Sequence, residues 1–210
     1  QRFFLMEKGK SRDYLCTTGQ AQGDKQVRGD LKTPEGVYFV VRKRTERLDF
    51  EEYGGEAYIL DYPNPVDRLR GKTGSGIWVH SRGRAITPFE SRGCVVLNLK
   101  DIAEVRPELK RGTPVLIGER VEIAPRKDAV REVEERTRGW RAAWRRGEAG
   151  DGFIAPERAA SIRKVERQEK RVRVTFGPVR ALEGPGYVVS WFAQRTASPD
   201  GGAETGVRRL

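Results

Sequence analysis

A chain of 210 residues that is 37% hydrophobic and 34% charged has room for one large domain or two small ones, with cores that are packed but not thick. No run approaches the roughly 18 consecutive apolar residues of a membrane helix, so no integral membrane segment is expected. The formal charge of +11 favours polyanionic partners such as nucleic acid, anionic lipid or acidic wall polymer. The lack of an ordered base-reading motif argues against nucleic acid among these.

In chain order, residues 2–6 and 14–18 read as the strands of a hairpin that turns at Glu7-Lys8-Gly9-Lys10. Residues 19–32, rich in glycine, glutamine and charge, read as a loop. Thr33-Pro34-Glu35-Gly36 is a turn that launches a buried strand over 37–41. Residues 57–60 and 76–80 read as further strands, and Tyr62-Pro63-Asn64-Pro65 between them is irregular because proline removes a donor and fixes φ. Residues 95–97 form a short strand. Asn98 is placed to cap a helix over 99–105, with Pro107 just beyond its end. Residues 114–117 and 120–123 read as a last pair of strands in this half.

Composition shifts at Ala124-Pro125, which divides the chain into 1–124 and 125–210. Residues 126–210 carry 19 Lys and Arg against 12 Asp and Glu, so this half is the more basic per residue. Val130, Val133, Trp140, Ala143 and Trp144 recur near helical spacing and predict a helix over 128–146, with a second over 157–171. Strands are expected over 171–182 and 187–195, joined by Glu183-Gly184-Pro185-Gly186, with a last one over 207–210.

The chemistry concentrates in the first half. His80 is the only histidine, and Cys94 follows it inside Ser91-Arg92-Gly93-Cys94-Val95. A free thiol is only a few per cent ionised at neutral pH, and an adjacent imidazole can take its proton and return it to a leaving amine. Gly93 allows a sharp turn that presents the sulfur, and backbone N–H groups at Arg92, Gly93 and Cys94 can face a developing oxyanion. Cys16, in the strand-like Tyr14-Leu15-Cys16-Thr17-Thr18, reads instead as a small buried hydrophobe.

This pattern resembles the L,D-transpeptidase catalytic family. The resemblance rests on Val79-His80, on Ser91-Arg92-Gly93-Cys94-Val95, and on Gly29-Asp30-Leu31-Lys32-Thr33-Pro34-Glu35-Gly36-Val37-Tyr38, which matches the family's Gly-Asp-x-x-Thr-Pro-Glu-Gly-x-Tyr stretch. Tyr62-Pro63-Asn64 and residues 74–79 are similar too. Two departures stand out: Ser81 replaces the usual glycine after the histidine, and Val96 replaces the usual arginine two places after the cysteine. The resemblance implies a β-rich, sandwich-type catalytic domain with Cys94 as nucleophile and His80 as base. It also implies that the Ser81 backbone carbonyl orients the imidazole and that the Gly93 backbone lies at the oxyanion hole. Arg92, Ser91, Arg82, Arg84 and Tyr62 are the candidates for holding substrate.

The implied substrate is the stem peptide of peptidoglycan. The thiolate attacks the third residue's carbonyl, usually that of diaminopimelate, and D-alanine leaves. The acyl group then passes to water (L,D-carboxypeptidase) or to an amine (L,D-transpeptidase). The Val96 departure leans towards water. No metal or cofactor is expected. A periplasmic or wall-associated location is implied, the export signal being removed after use. Two alternatives stay open: hydrolysis of the link between peptidoglycan and a lipoprotein, and a non-catalytic wall-binding module. The second half, through Trp140-Arg141-Ala142-Ala143-Trp144 and Val188-Val189-Ser190-Trp191-Phe192-Ala193-Gln194, resembles the small α+β cone of the ketosteroid isomerase superfamily.

Overall fold

The computed structural model describes residues 1–7, 9–121, 127–145, 173–197 and 203–209. The chain forms two compact units, Gln1–Val121 and Glu122–Leu210.

The first unit is built on seven strands: β1 (Arg2–Glu7), β2 (Lys10–Thr17), β3 (Gly36–Arg44), β4 (Ala57–Leu60), β5 (Trp78–Ser81), β6 (Val95–Leu97) and β7 (Pro114–Ile117). They lie in the order β1-β2-β6-β5-β4-β3-β7, a single continuous sheet where a two-sheet sandwich was expected. Leu5, Tyr14 and Cys16 at one end join Tyr38 and Val40 near the other in one buried cluster, with Val115 and Ile117 packed against it. Strands so far apart along the ladder share a core only if the sheet curls around it, as the handed twist of strands allows. Helix α3 (Leu99–Val105) closes the cluster with Ile102 and Val105, over the residues its Asn98 start and spacing predict.

Two short helices were not anticipated: α1 (Phe50–Tyr53) and α2 (Pro65–Leu69). Each begins at a polar cap, Asp49 accepting from the Glu52 N–H at 2.9 Å and Asn64 from the Asp67 N–H at 2.9 Å. The expected strand over 120–123 is a correction: Arg120 and Val121 are irregular, and residues 122 and 123 lie outside the described ones.

In the second unit, helix α4 (Lys127–Arg145) packs against β10 (Tyr187–Ala197). Strand β10 pairs with β11 (Ala203–Arg209) on one side. On its other side lie β9 (Arg180–Gly184) and β8 (Arg173–Phe176), one after the other. The single strand expected over 171–182 is therefore broken at Gly177-Pro178-Val179, where proline has no N–H to give the ladder. The helix expected over 157–171 lies outside the described residues. No helix among the described residues is long and apolar enough to cross a membrane.

Candidate active site

Strands β5 and β6 are parallel neighbours, with Val79 beside Val95, His80 beside Val96 and Ser81 beside Leu97. Side chains alternate along a strand. Val79 and Val95 enter the core cluster, so His80 and Val96 face the other way. Cys94 immediately precedes β6, and one further step of register sets it beside Trp78, on the face that carries His80. The two residues are thus brought to one face by a parallel pairing that the chain crosses over to make.

His80 is 2% exposed, and its Nδ1 lies 2.7 Å from the Ser81 carbonyl oxygen. A carbonyl only accepts, so this contact assigns the proton to Nδ1 and leaves Nε2 with a free lone pair. Burial holds the imidazole below its usual 6.5; the Ser81 bond opposes this, the Arg82 charge adds to it, and the Glu52 charge opposes it. Cys94 is half-buried, and its Sγ lies 3.5 Å from the Gly76 carbonyl oxygen. Burial pushes its thiol up to about 11, against the pull of the Trp78 backbone N–H. Both shifts favour the neutral forms.

The loop that carries Cys94 is shaped by close contacts. At Gly93 φ is +125°, and a Cβ there would sit 2.7 Å from the Lys32 carbonyl oxygen and 3.1 Å from Ile77 Cδ1, so only glycine fits. Ser91, 1% exposed, accepts from the Gly93 N–H at 3.0 Å and donates to the Cys94 carbonyl at 2.6 Å. It is a brace inside the loop. The Gly93 N–H assigned to the oxyanion is occupied by that brace. The upstream loop leans on the same turn through Gln20 N–H to Ser91 O at 2.9 Å and Ser91 N–H to Thr18 O at 3.0 Å. That loop is pinned by Asp30: burial opposes its charge, but Lys25 Nζ at 2.5 Å and the N–H groups of Gln26, Val27 and Lys32 outweigh this and hold its carboxyl well below the usual range.

The other predicted binding residues divide sharply. Arg82 is 4% exposed and bonds Glu52 Oε1 at 3.0 Å and Glu90 Oε1 at 2.9 Å. It ties α1 to the segment leading into Ser91 through its two terminal nitrogens, while its buried Nε has no hydrogen-bond partner among the described residues. Arg84 is committed to Glu90 Oε2 at 3.1 Å. Tyr62 is a correction: it is 5% exposed in the core cluster, edge-on to Tyr38, with its hydroxyl donating to Thr73 O at 3.0 Å. Arg92 is exposed and has no ion pair among the described residues. Replacing Arg82 by alanine takes the partner from Glu52 and one of two arginine partners from Glu90. We expect a loss of about 3 kcal/mol in denaturant unfolding; a shift below about 1 kcal/mol would mean that the clamp is dispensable.

Sequence reasoning missed Tyr53. Its ring centroid lies 5.1 Å from that of His80 and 5.3 Å from that of Trp78, tilted in both cases. Burial raises its phenol, and the nearby Cys94 and Glu52 charges raise it further. Helix α1 delivers it, ending at Gly54 with φ +58°, where a Cβ would sit 2.1 Å from Ser81 Oγ. Trp78 is half-buried on the His80 face. Among the described residues, no group of three or more His, Cys, Asp or Glu side chains is arranged to hold a metal ion.

Residues 1–117 match the model of the YkuD family, the L,D-transpeptidase catalytic domain, and the chain belongs to that family. Over 91 residues it is 31% identical to YafK of Escherichia coli (strain K12), a stretch that is 43% of this chain and 33% of that protein. The match to its curated relatives thus spans about a third of their length. Among solved structures, the helical cell shape determining protein Pgp2 of Campylobacter jejuni has a TM-score of 0.66 at 25% identity, covering 100% of this chain and 81% of that one. Bd1075 of Bdellovibrio bacteriovorus has a TM-score of 0.65 at 25% identity, covering 99% and 81%.

Proposed function

We propose that the protein is a cysteine acyl-transfer enzyme that trims peptidoglycan stem tetrapeptides to tripeptides, an L,D-carboxypeptidase. The observation that carries this reading is the His80 imidazole, fixed by the Ser81 carbonyl at 2.7 Å with Nε2 unprotonated, on the sheet face that carries Cys94. Nε2 takes the thiol proton as Sγ attacks the carbonyl carbon of the third stem residue. The oxyanion is met by the amides of Arg92 and Cys94, since the Gly93 N–H is already given to Ser91. The C–N bond breaks, His80 returns the proton to the amine, and D-alanine leaves. Water then attacks the thioester, losing its proton to His80, and the sulfur departs as the thiol. Arg92, exposed two residues before the nucleophile, binds the substrate carboxylate nearest the scissile bond.

Water is favoured as acceptor because Val96 lies fully buried beside His80, at a position where an arginine would otherwise serve a bound stem. The likeness over the whole chain to Pgp2, named for helical cell shape, supports a role in wall remodelling, in the periplasm or at the wall. The division at 1–124 and 125–210 is retained as the domain boundary, close to the break between compact units at Val121. We assign the second unit, a basic α+β module with a ketosteroid-isomerase-like cone, to engaging polymeric wall.

Purified tetrapeptide muropeptides discriminate the outcomes. Free tripeptide and D-alanine are expected. Mainly 3–3 cross-linked dimers would make the acceptor an amine. Activity only on lipoprotein-linked sacculi would move the reaction to that linkage, and no product from any wall substrate would leave a binding module.

A further inference from the structure

On β3 the pairing slips. Val40 is opposite Leu60, yet Arg42, two residues on, is opposite Ile59, the next residue of β4. The extra residue is a bulge, and a bulge reverses the face to which every later side chain points. Val40 is fully buried in the core cluster. Beyond the bulge Lys43 takes the core side, its Nζ 5.6 Å from the Tyr58 ring centroid. Arg44 takes the opposite side. It is paired with Ala57, which is paired with His80, which is paired with Val96. These four residues form one row across the sheet on the face of the catalytic pair.

The middle of this row is covered: Ala57 is fully buried and His80 nearly so. Ala57 is the smallest side chain that could separate the arginine from the histidine. The Arg44 guanidinium lies 5.7 Å from the Trp78 ring centroid, and Trp78 is in the adjoining row, next to Cys94. Arg44 Nε donates to the Glu46 carbonyl at 3.1 Å, and the guanidinium has no carboxylate partner among the described residues. Arg82 and Arg84, by contrast, are spent on Glu52 and Glu90. The charges of Arg92 and Arg44 both lower the phenol of Tyr53, whose ring rests against His80.

We propose that Arg44, held over the Trp78 indole, is a specificity-determining residue that binds the carboxylate at the far end of the third stem residue's side chain. The assignment rests on the reading of the substrate given above. Strands β3 and β5 are two ladder steps apart, about 10 Å, so Arg44 reaches in from the side over Trp78, where the end of a long substrate side chain can meet it. A planar guanidinium stacked on an aromatic ring keeps its outer nitrogens aimed at one place and pairs with a carboxylate through two bonds. The bulge therefore turns what would have been a core-facing position into a substrate contact, and supplies the guanidinium that Val96 does not.

The test uses the full chain, wild type, Arg44→Ala and Arg44→Lys, with three tetrapeptide stems. They differ only at the third residue: diaminopimelate, diaminopimelate amidated at its side-chain carboxyl, and lysine. The wild type is expected to favour the free carboxylate over both others by about tenfold to a hundredfold in kcat/KM. Arg44→Ala is expected to lose that preference, mostly through KM, while its rates on amide and lysine stems stay within about threefold. Arg44→Lys should recover part of the preference, since it keeps the charge and loses the fork. An equal fall on all three stems would mean that Arg44 only packs on Trp78, and an unchanged preference would mean that it touches no carboxylate; either overturns the proposal alone. A wild type that processes none of the stems overturns the substrate reading, and this proposal with it.

Discussion

Cys94→Ala will reduce turnover by about 10⁵-fold or more while leaving the protein folded. The size of the loss follows from the chemistry: without the sulfur there is no acyl-enzyme, and only the remaining binding and amide contacts are left to act. The fold survives because the side chain is half-buried at the end of a loop, whose shape is set by Gly93 and Ser91. Unfolding should shift by about 1 kcal/mol or less. Cys16 cannot take over. It sits 8% exposed on β2 opposite Leu97, with burial pushing its thiol up to about 11 and no imidazole near it. Retention of most activity in folded Cys94→Ala protein would remove the thiol from the mechanism.

His80→Ala should cost nearly as much, about 10⁴-fold, and Cys94→Ala/His80→Ala should be no worse than the worse single change, because the two act as one unit. The pH dependence separates a base from a bystander. Burial lowers the imidazole below 6.5, so its neutral form is fully present above that value. Alkylation of the wild-type thiol should therefore level off above about pH 6.5 and rise again only as the thiol's own value near 11 is approached. Without His80 the rate should follow the thiolate alone and climb about tenfold per pH unit across that range. Superimposable profiles would show that His80 does not activate the sulfur. A stability consequence has the same sign. The unfolded chain binds the His80 proton more readily than the folded one, so this contribution is complete above 6.5 and declines as pH falls below it.

The Cys94 and His80 positions were legible because their signal is local: a lone histidine at a strand end and a cysteine behind a glycine in a turn. Helix α3 covers the predicted residues, although the Asn98 side chain makes no cap bond and Pro107 sits inside a 3₁₀ turn, Arg106–Glu108, that continues it. What escaped is tertiary. Helix α1 has four residues, too few for a periodicity, so Tyr53 had no pattern to announce it. The burial of Arg82 depends on Glu52 and Glu90, 30 and eight residues away in sequence, and a charge run gives no hint which members will be paired. Tyr62 beside prolines was a candidate for holding substrate, yet the turn folds its ring inward against Tyr38. Alternation along β3 would send Arg42 and Arg44 to the face of Val40; only the bulge, invisible in composition, reverses them. The glycine–serine brace likewise shows why an amide nominated from the motif need not be free.

The central claim is that a substrate acyl group becomes bonded to Cys94. Intact-protein mass spectrometry after incubation with a carbapenem-type β-lactam, followed by peptide mapping, reads that bond directly. The account predicts one covalent adduct, mapped to Cys94 in the wild type and absent from Cys94→Ala. An adduct on Cys16, or one that persists in Cys94→Ala, would contradict it.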